Sequence, residues 1–429
     1  MMILLLFILF LIFCFCGIPI AFSLGVSSLV YLLYQGISPI LVAQKMFTGI
    51  DSFLLTAIPL FILAGNLMNT SGFTNDLIKF SELFVGRIRG GLAYVNIIVS
   101  MVLASMIGAG VADTAAVGSI LIPGMIRAGY RKDFSTAVTV VSSTIGPIIP
   151  PSIAFIVYGS ITGVSIGALF LAGIIPGIIM GILQMVVVYR EDKKSPLPRI
   201  EEKIIASEKA KIIKNSIFAL MMPVIILGGI LGGFVTPTEA AGIAAFYIFI
   251  IGVFVRQNIS FKVFKAALIK TAITTGSVMI LMGTAGMFSF ILTTQLFPQK
   301  VVTAILAVTS NKIMTLLLIN LALLICGMFL DVIPALLITT PIFLPLMVTM
   351  GISPLHYGAI CVLNLVIGLI TPPVGMCLFV GANIAKISIE KVSKSLIPFF
   401  ISVLIALIMV TYWPAISVWL PTICGFWGK

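Results

Sequence analysis

Two short segments decide the fold of this chain: GPIIPPS (146–152) and GLITPPVG (368–375). Each places two adjacent prolines inside a long apolar run. The prolines remove backbone donors, and the residue before a proline avoids the α region, so a helix cannot continue through either segment. Both segments therefore predict a helix that is interrupted within its apolar run.

The sequence around these segments is too apolar for a soluble protein. Sixty per cent of the residues are apolar, 9% are charged, and the mean hydropathy is +1.26, whereas soluble domains carry about 25% charged residues. Uncharged stretches of spanning length, roughly 17–25 residues, recur at 1–34, 135–189, 215–236 and 395–422. We expect an all-α polytopic membrane protein with about 12 membrane segments, in which residues 1–34 form one bent helix or two segments. This pattern excludes a secreted soluble domain and an outer-membrane barrel.

The two double-proline segments belong to a longer internal repeat. Pro150 corresponds to Pro372, 222 residues later, and LIPGMIRAG (121–129) corresponds to FLPLMVTMG (343–351) at the same offset. Asp113 corresponds to Asp331, 218 residues later, and a four-residue insertion after Asp331 reconciles the offsets. Three matches in the same order indicate a duplication.

The basic residues indicate that the two copies have opposite orientations. Corresponding loops differ in charge: 159–168 has no Lys or Arg, but its counterpart holds Lys386, Lys391 and Lys394. Conversely, Arg127, Arg131 and Lys132 follow the first Asp segment, whereas 346–358 has none. Basic loops face the cytoplasm, so the net charge of +12 reflects topology rather than nucleic-acid binding. The sequence predicts two inverted-topology repeats, an architecture of secondary transporters.

Each predicted repeat contains a re-entrant helical hairpin and a broken helix. The first repeat covers 1–189, with its hairpin at about 92–126 and its broken helix at about 134–160. The second covers 215–429, with its hairpin at about 313–347 and its broken helix at about 357–386. The polar linker 190–214 joins them on the cytoplasmic side, either as a solvated connector or as an amphipathic helix in the membrane plane.

Three acidic residues lie deep in apolar sequence: Asp113, Glu239 and Asp331. Each would cost roughly 2.5–3.5 kcal/mol at a bilayer centre, so each needs a partner or a water-filled cavity. We expect each Asp near the tip of its hairpin, as a helix cap, a ligand, or both. Glu239, in TPTEAA, is expected to be structural, with Thr236 or Thr238 capping the same helix.

A broken helix frees carbonyl groups that suit Na⁺ and an N-terminal dipole that suits an anion. Small residues at each hairpin tip would allow the tip to approach a break closely. The pattern therefore predicts two Na⁺ sites related by pseudo-symmetry. The expected ligands of site one are Ser105, Gly108, Gly146, Ile149 and Pro150, and those of site two are Gly327, Gly368, Thr371, Pro372 and Met376.

Five motifs in order resemble the large membrane subunit of TRAP (tripartite ATP-independent periplasmic, DctM-like) transporters. They are IPLFILAGNLM (58–68), GAGVADTAAVGSILIPGM (108–125), GPIIPPSI (146–153), GGFVTPTEAAGIAA (232–245) and ITPPVGMCLFVGAN (370–383). The resemblance implies an elevator-type importer of organic acids in the bacterial inner membrane, driven by Na⁺ as coupling ion, with no organic cofactor. It also implies two partners: a small four-helix membrane subunit (DctQ-like) and a periplasmic substrate-binding protein (DctP-like).

The substrate is expected to lie beside the hairpin tips and breaks. The candidate contact residues are Asp331, Asp113, Thr114, Ser152 and Gly375. No Lys or Arg lies in a tip or a double-proline segment, and Asp331 would repel a second carboxylate of the substrate. This favours a hydroxylated monocarboxylate such as a sialic acid (N-acetylneuraminate), with a C4-dicarboxylate or another carboxylate as the other possibility.

Two other functions fit parts of the pattern. A stand-alone Na⁺/carboxylate symporter would share the inverted repeats but would need no binding protein. An intramembrane aspartyl protease would use two membrane aspartates that share a proton on facing helices. The contexts GVAD and MFLD do not resemble the motifs of that enzyme, so we expect a transporter subunit and not an enzyme.

Overall fold

The protein was examined as a computed structural model that describes residues 2–199, 206–309 and 311–427, without the side chains of 2, 4, 104–107 and 206. Every regular element in these residues is helical. The first half contains α1 (Met2–Phe15), α2 (Ile20–Tyr34), α3 (Ile40–Ile50), α4 (Ala57–Thr70), α5 (Phe73–Val85), α6 (Gly91–Ile107), α7 (Gly110–Arg127), α8 (Lys132–Ser142), α9 (Ile153–Thr162) and α10 (Ile166–Lys194). Residues 1–34 therefore hold two helices rather than one, apart from Met1, which is outside the described residues.

The second half is helical in the same way. It contains α11 (Ala206–Leu231), α12 (Pro237–Ile250), α13 (Phe261–Thr294), α14 (Phe297–Val308), α15 (Lys312–Phe329), α16 (Val332–Thr349), α17 (Pro354–Gly368), α18 (Met376–Ala385), α19 (Ile389–Tyr412) and α20 (Ala415–Ile423). Because α10 runs to Lys194 and α11 begins at Ala206, helix occupies both ends of the linker 190–214. Residues 200–205 of that linker lie outside the described residues.

Eight helical segments of the described chain are long and apolar enough to cross a membrane. They lie at Phe53–Thr70, Ile166–Lys194, Ser207–Leu231, Pro237–Val255, Phe261–Thr294, Lys312–Phe329, Val332–Thr349 and Ile389–Tyr412. Eight further apolar helices have only 10–17 residues, and the interrupted helices are among these short ones. The prediction of an all-helical, multi-pass membrane protein is therefore confirmed by the helical elements and by the length and composition of the apolar helices.

The helix ends follow local sequence signals. Thr236 caps α12 in a capping box: its hydroxyl accepts a hydrogen bond from the Glu239 N–H at 3.3 Å, and the Glu239 carboxylate accepts one from the Thr236 N–H at 2.7 Å. The prediction that Glu239 is a structural residue at this helix start is thereby confirmed. Ser353 caps α17 in a similar way, because its hydroxyl accepts from the His356 N–H at 3.1 Å.

The helices beside the double-proline segments occupy the centre of the molecule. Every residue of α8 from Phe134 and every residue of α17 from Leu355 is buried. By contrast, α3 buries none of its residues within the chain. Helix α17 packs against α15, α16 and α10, and α8 packs against α6, α7 and α19. The first interruption and the last turn of α17 therefore lie in an enclosed part of the fold, whereas Pro372 and Pro373 of the second interruption are exposed.

Candidate functional site

The tip between α6 and α7 rests on the first interrupted helix. The turn consists of Gly108, with φ +63°, and Ala109. A β carbon on Gly108 would lie 3.1 Å from the Pro151 carbonyl oxygen and 3.2 Å from the Ile153 backbone nitrogen. Only a residue without a side chain fits this turn comfortably. The predicted neighbour Ser105 lies in α6, but its side chain is outside the described part of the structure.

The first interruption separates α8 from α9 and leaves several carbonyl groups without partners. A 3₁₀ turn spans Ser143–Ile145, and the Ser152 hydroxyl caps α9 by accepting from the Phe155 N–H at 3.2 Å. The same hydroxyl donates to the Pro147 carbonyl. The carbonyl oxygens of Gly146, Ile149 and Pro150 accept no hydrogen bond from the described residues. Buried carbonyls normally have a partner, so these three are available to a ligand.

The second interruption repeats this arrangement with differences. It separates α17 from α18. Both donors of Thr371 are hydrogen-bonded: its N–H donates to the Gly368 carbonyl at 3.0 Å, and its hydroxyl donates to the Ile367 carbonyl at 2.8 Å. The carbonyls of Thr371 and Pro372 accept no hydrogen bond from the described residues. Met376 is the first residue of α18.

The two copies meet at Gly110, the first residue of α7. A β carbon at this position would lie 3.2 Å from the Ser143 carbonyl oxygen in the first interruption. It would also lie 3.2 Å from Leu369 Cδ1 and 3.6 Å from Cys377 Sγ, which belong to the second interruption and to α18. The first hairpin therefore lies between both interruptions.

Asp113 is fully buried one turn into α7, and its carboxylate has no partner. It is 0% exposed, and neither carboxylate oxygen accepts a hydrogen bond from the described residues. The hydroxyls of Ser100 and Ser143 lie beside it, but they donate to Ser142 Oγ at 3.1 Å and to the Thr139 carbonyl at 2.8 Å. A buried carboxylate without a partner is costly, so this position needs a cation or a proton.

Asp331, the counterpart of Asp113, is only half-buried. Its Oδ1 accepts from the Val332 N–H at 2.8 Å and caps α16. The Asp331 side chain also lines a cavity of about 550 Å³ bounded by residues of α4, α7, α13 and α16. The two aspartates therefore have different surroundings, one in the protein interior and the other at a cavity wall.

The cavity has a polar wall that the sequence analysis did not anticipate. Its polar lining residues are Asn66, Asn69, Thr74, Asn75, Ser119, Lys270, Thr274 and Asp331. Lys270 is the tenth residue of α13, well inside the apolar helix. The spacing of Lys270, Thr274 and Val278, four residues apart, is the signal that could have placed them on one helix face.

The other predicted substrate residues lie outside this lining. Asp113, Thr114, Ser152 and Gly375 are buried close to the interruptions, and the Thr114 hydroxyl donates to the Gly110 carbonyl at 3.0 Å. The structure thus places Asp113 beside Gly146 of the first interruption, and it groups Asp331 with a cavity that includes Lys270.

A second cavity of about 580 Å³ lies far from the interruptions. Its lining includes Lys312, His356, Trp419 and Trp427, and it is mainly apolar. The His356 ring is already occupied, because its nitrogens lie 2.7 Å from Ser417 Oγ and 3.3 Å from the Thr411 carbonyl oxygen.

Interrupted membrane helices beside a polar cavity are typical of membrane transport proteins. A family model described as "Tripartite ATP-independent periplasmic transporter, DctM component" matches residues 7–416. The chain belongs to this family of large permease components. It is a transporter subunit and not an enzyme, and the aspartyl-protease alternative is wrong.

Curated relatives support the same family. The chain is 36% identical to the sialic acid TRAP transporter large permease protein SiaM of Vibrio cholerae, over 97% of each chain. It is 37% identical to the C4-dicarboxylate TRAP transporter large permease protein DctM of the same organism, over 95% of this chain and 94% of that one. It is 42% identical to the isethionate TRAP transporter permease protein DctMQ of Oleidesulfovibrio alaskensis, over 95% of this chain and 64% of that one.

The fold is also similar to that of a solved transporter. The YdaH transporter of Alcanivorax borkumensis, described as having an unusual topology, superposes with a TM-score of 0.64 over 87% of each chain. The sequence identity is 14%, so this similarity concerns the fold alone.

Proposed function

We propose that this chain imports an organic acid anion across the bacterial inner membrane, coupled to Na⁺ movement down its gradient. The observation that carries the proposal is the pair of hairpin tips seated against interrupted helices whose carbonyls accept no hydrogen bond. Unwound carbonyls at membrane depth are the groups that coordinate Na⁺ in secondary transporters. The cavity at Asp331 lies beside the same tips and supplies room for an organic substrate.

Na⁺ site one is supported by free oxygen atoms around the first interruption. The carbonyls of Gly108, Gly146, Ile149 and Pro150 accept no hydrogen bond from the described residues. Asp113 strengthens this assignment, because Gly146 lies next to it: a β carbon on Gly146 would be 3.9 Å from Asp113 Cβ. The charge of the carboxylate would offset that of a bound Na⁺ without a direct contact between them. Asp113 therefore fits an ion role better than the substrate contact expected from sequence.

Na⁺ site two is supported by the close approach of Gly327 and Gly368. The Gly327 carbonyl oxygen would lie 2.5 Å from a β carbon on Gly368, which leaves that oxygen facing the end of α17. The carbonyls of Thr371 and Pro372 are the other free acceptors. Met376, the remaining predicted ligand, is the first residue of α18 after the left-handed Gly375, so its carbonyl belongs to the helix and is not among the free acceptors.

An elevator motion of inverted repeats is supported by the way the helices pair. Corresponding helices follow one another at an offset of about 222 residues, as in α7 and α16. Each hairpin forms a hydrogen bond with its own interrupted helix. Asn96 of α6 donates to the Thr139 hydroxyl of α8 at 2.6 Å, and Asn364 of α17 donates to the Asn320 amide oxygen of α15 at 2.8 Å. We therefore propose that hairpins and interrupted helices move as one body.

Helices α4 and α13 fit the role of a fixed scaffold. Asn66 of α4 donates to Thr271 of α13 at 3.0 Å, and an ion pair joins Asp76 to Arg256. Among the described residues, no hydrogen bond or ion pair joins α4 or α13 to α7, α9 or α16. An interface without polar bonds can slide without breaking any, which suits movement of the hairpins past the scaffold.

Two partners complete the proposed system: a small four-helix membrane subunit and a periplasmic binding protein that delivers the substrate. The family description names a tripartite transporter. The relative from Oleidesulfovibrio alaskensis is longer than this chain, and its name joins M and Q components, which suggests where the small subunit resides in that protein.

Reconstitution with and without the partners tests this function against the stand-alone symporter. The full chain is placed in proteoliposomes, alone or with the small subunit, and uptake of labelled organic acids is measured after addition of the binding protein. Uptake under a Na⁺ gradient only when all three proteins are present is the expected result. Equal uptake by this chain alone would favour the stand-alone symporter.

A further inference from the structure

Among the described residues that line the central cavity, there is one basic and one acidic side chain, Lys270 and Asp331. Lys270 lies on α13 of the proposed scaffold, and Asp331 lies at the start of α16 in the second hairpin. No ion pair joins them, since the ion pairs of the described chain involve other residues. Each charge therefore faces the cavity without neutralising the other.

The ammonium group of Lys270 is free to bind an anion. It makes no hydrogen bond or ion pair with the described residues, and its side chain is exposed. The next polar position on this face, Thr274, is already occupied, because its hydroxyl donates to the Lys270 carbonyl at 2.9 Å. A lysine ammonium offers three donors and no acceptor, so it selects an acid group.

The free oxygen of Asp331 selects the opposite kind of group. Oδ1 already accepts from the Val332 N–H, which leaves Oδ2 as an acceptor at the cavity wall. An ionised carboxylate accepts hydrogen bonds only. A hydroxyl or an amino group on the substrate would satisfy it, whereas a second acid group would face a like charge.

We propose that the substrate is an organic monoanion that carries hydroxyl or amino groups, with its acid group on Lys270 and a hydrogen-bond donor on Asp331. The proposal rests on the transport function above and narrows it, because it selects against simple dicarboxylates. Neutral donors and acceptors complete the wall. The Asn66 amide nitrogen donates to the Thr271 hydroxyl, and the Asn69 amide oxygen accepts from the Thr74 hydroxyl. The remaining amide atoms of both side chains are left to the cavity. Such amides suit a polyhydroxylated chain.

The test measures binding to the full chain in nanodiscs, so that the selectivity of a binding protein plays no part. Calorimetry in NaCl compares N-acetylneuraminate and isethionate, both hydroxylated monoanions, with succinate. It also compares isethionate with ethanesulfonate, which lacks the hydroxyl group. We expect a hydroxylated monoanion to bind at least about tenfold more tightly than succinate, a difference of about 1.4 kcal/mol.

Three variants connect the selectivity to Lys270. Lys270→Gln should weaken binding of the preferred monoanion at least about tenfold, and Lys270→Arg, which keeps the charge, should restore it to within about threefold of wild type. Lys265→Gln is the matched control, because Lys265 is an exposed lysine of the same helix outside the cavity lining. It should bind as wild type does.

Two results would overturn the inference. One is tighter binding of succinate than of every hydroxylated monoanion, and the other is equal binding by Lys270→Gln and Lys265→Gln. Either would leave Na⁺-coupled transport of an organic acid intact. If no organic acid of either class bound in NaCl, the proposed function itself would fail, and the inference with it.

Discussion

Gly368 packs directly against Gly327: a β carbon on Gly368 would lie 2.2 Å from the carbonyl carbon of Gly327 and 2.5 Å from its α carbon. These two residues join the end of α17 to the tip of the second hairpin. The contact is between backbones, so no rotamer change can relieve a clash there. The second proposed Na⁺ site depends on this contact.

Gly368→Ala should therefore destabilise the protein and weaken Na⁺ binding. The added methyl group forces the hairpin tip away from α17, and overpacking of this kind costs roughly 1–3 kcal/mol. Thermal unfolding of the purified protein, followed as a function of Na⁺ concentration, measures both effects. Gly124→Ala is the matched control, because a β carbon at this helical glycine has no neighbour within 4 Å. Equal stability of the two variants would contradict the packing described.

Asp331→Asn should lower uptake at least about tenfold while the protein still folds and binds Na⁺. Asparagine keeps an oxygen that can accept from the Val332 N–H, so the cap survives, but the charge that receives the substrate donor is lost. A tenfold loss corresponds to about 1.4 kcal/mol, roughly one hydrogen bond to a charged group. The comparison is made in reconstituted vesicles at equal protein content.

Asp51→Asn serves as the control for that variant. Asp51 is exposed after α3, and its side chain forms no hydrogen bond with the described residues. Wild-type uptake by Asp331→Asn would mean that Asp331 is a helix cap with no role in substrate binding.

The proposed orientation predicts that Ser207 and Thr349 lie on opposite sides of the membrane. The basic residues of the linker 190–214 predict that it lies in the cytoplasm, and the absence of Lys and Arg from 346–358 predicts that this segment lies outside. Single cysteines at these two exposed positions should react with an impermeant thiol reagent from opposite sides. Thr349 is preferable to Ser353, whose hydroxyl caps α17.

The background for this labelling lacks the four native cysteines that are not buried: Cys14, Cys16, Cys326 and Cys424. This background without an added cysteine is the control for residual labelling. Reaction of both introduced cysteines from the same side would contradict the inverted repeats.

The sequence was informative wherever backbone chemistry alone sets the structure. The double prolines at 150–151 and 372–373 lie in the non-helical segments between α8 and α9 and between α17 and α18. Glu239 was recognised as structural because a capping box needs only residues three apart. The all-helical class followed from composition, since every long apolar run requires a hydrogen-bonded backbone in lipid.

The sequence was uninformative where function depends on which helices become neighbours. Lys270 and Asp331 are 61 positions apart, and no sequence motif links the two helices. Only the packing of α13 against α16 brings both residues to one cavity. Asp113 and Asp331 looked equivalent because their sequence contexts were paired at an offset of 218. In the structure α7 and α16 both have 18 residues and begin 222 positions apart, so the four-residue insertion expected after Asp331 is wrong. Asp331 is the N-cap of α16, whereas Asp113 lies one turn inside α7, and the two side chains therefore have different burial.

Na⁺ dependence of uptake tests the central claim most directly. The complete reconstituted system is loaded with K⁺ buffer, and initial uptake of the preferred organic acid is measured against external Na⁺ concentration. Two cooperating ion sites predict no uptake without Na⁺ and a Hill coefficient above one. Uptake driven by a proton gradient in Na⁺-free buffer, at the rate seen with Na⁺, would contradict the account.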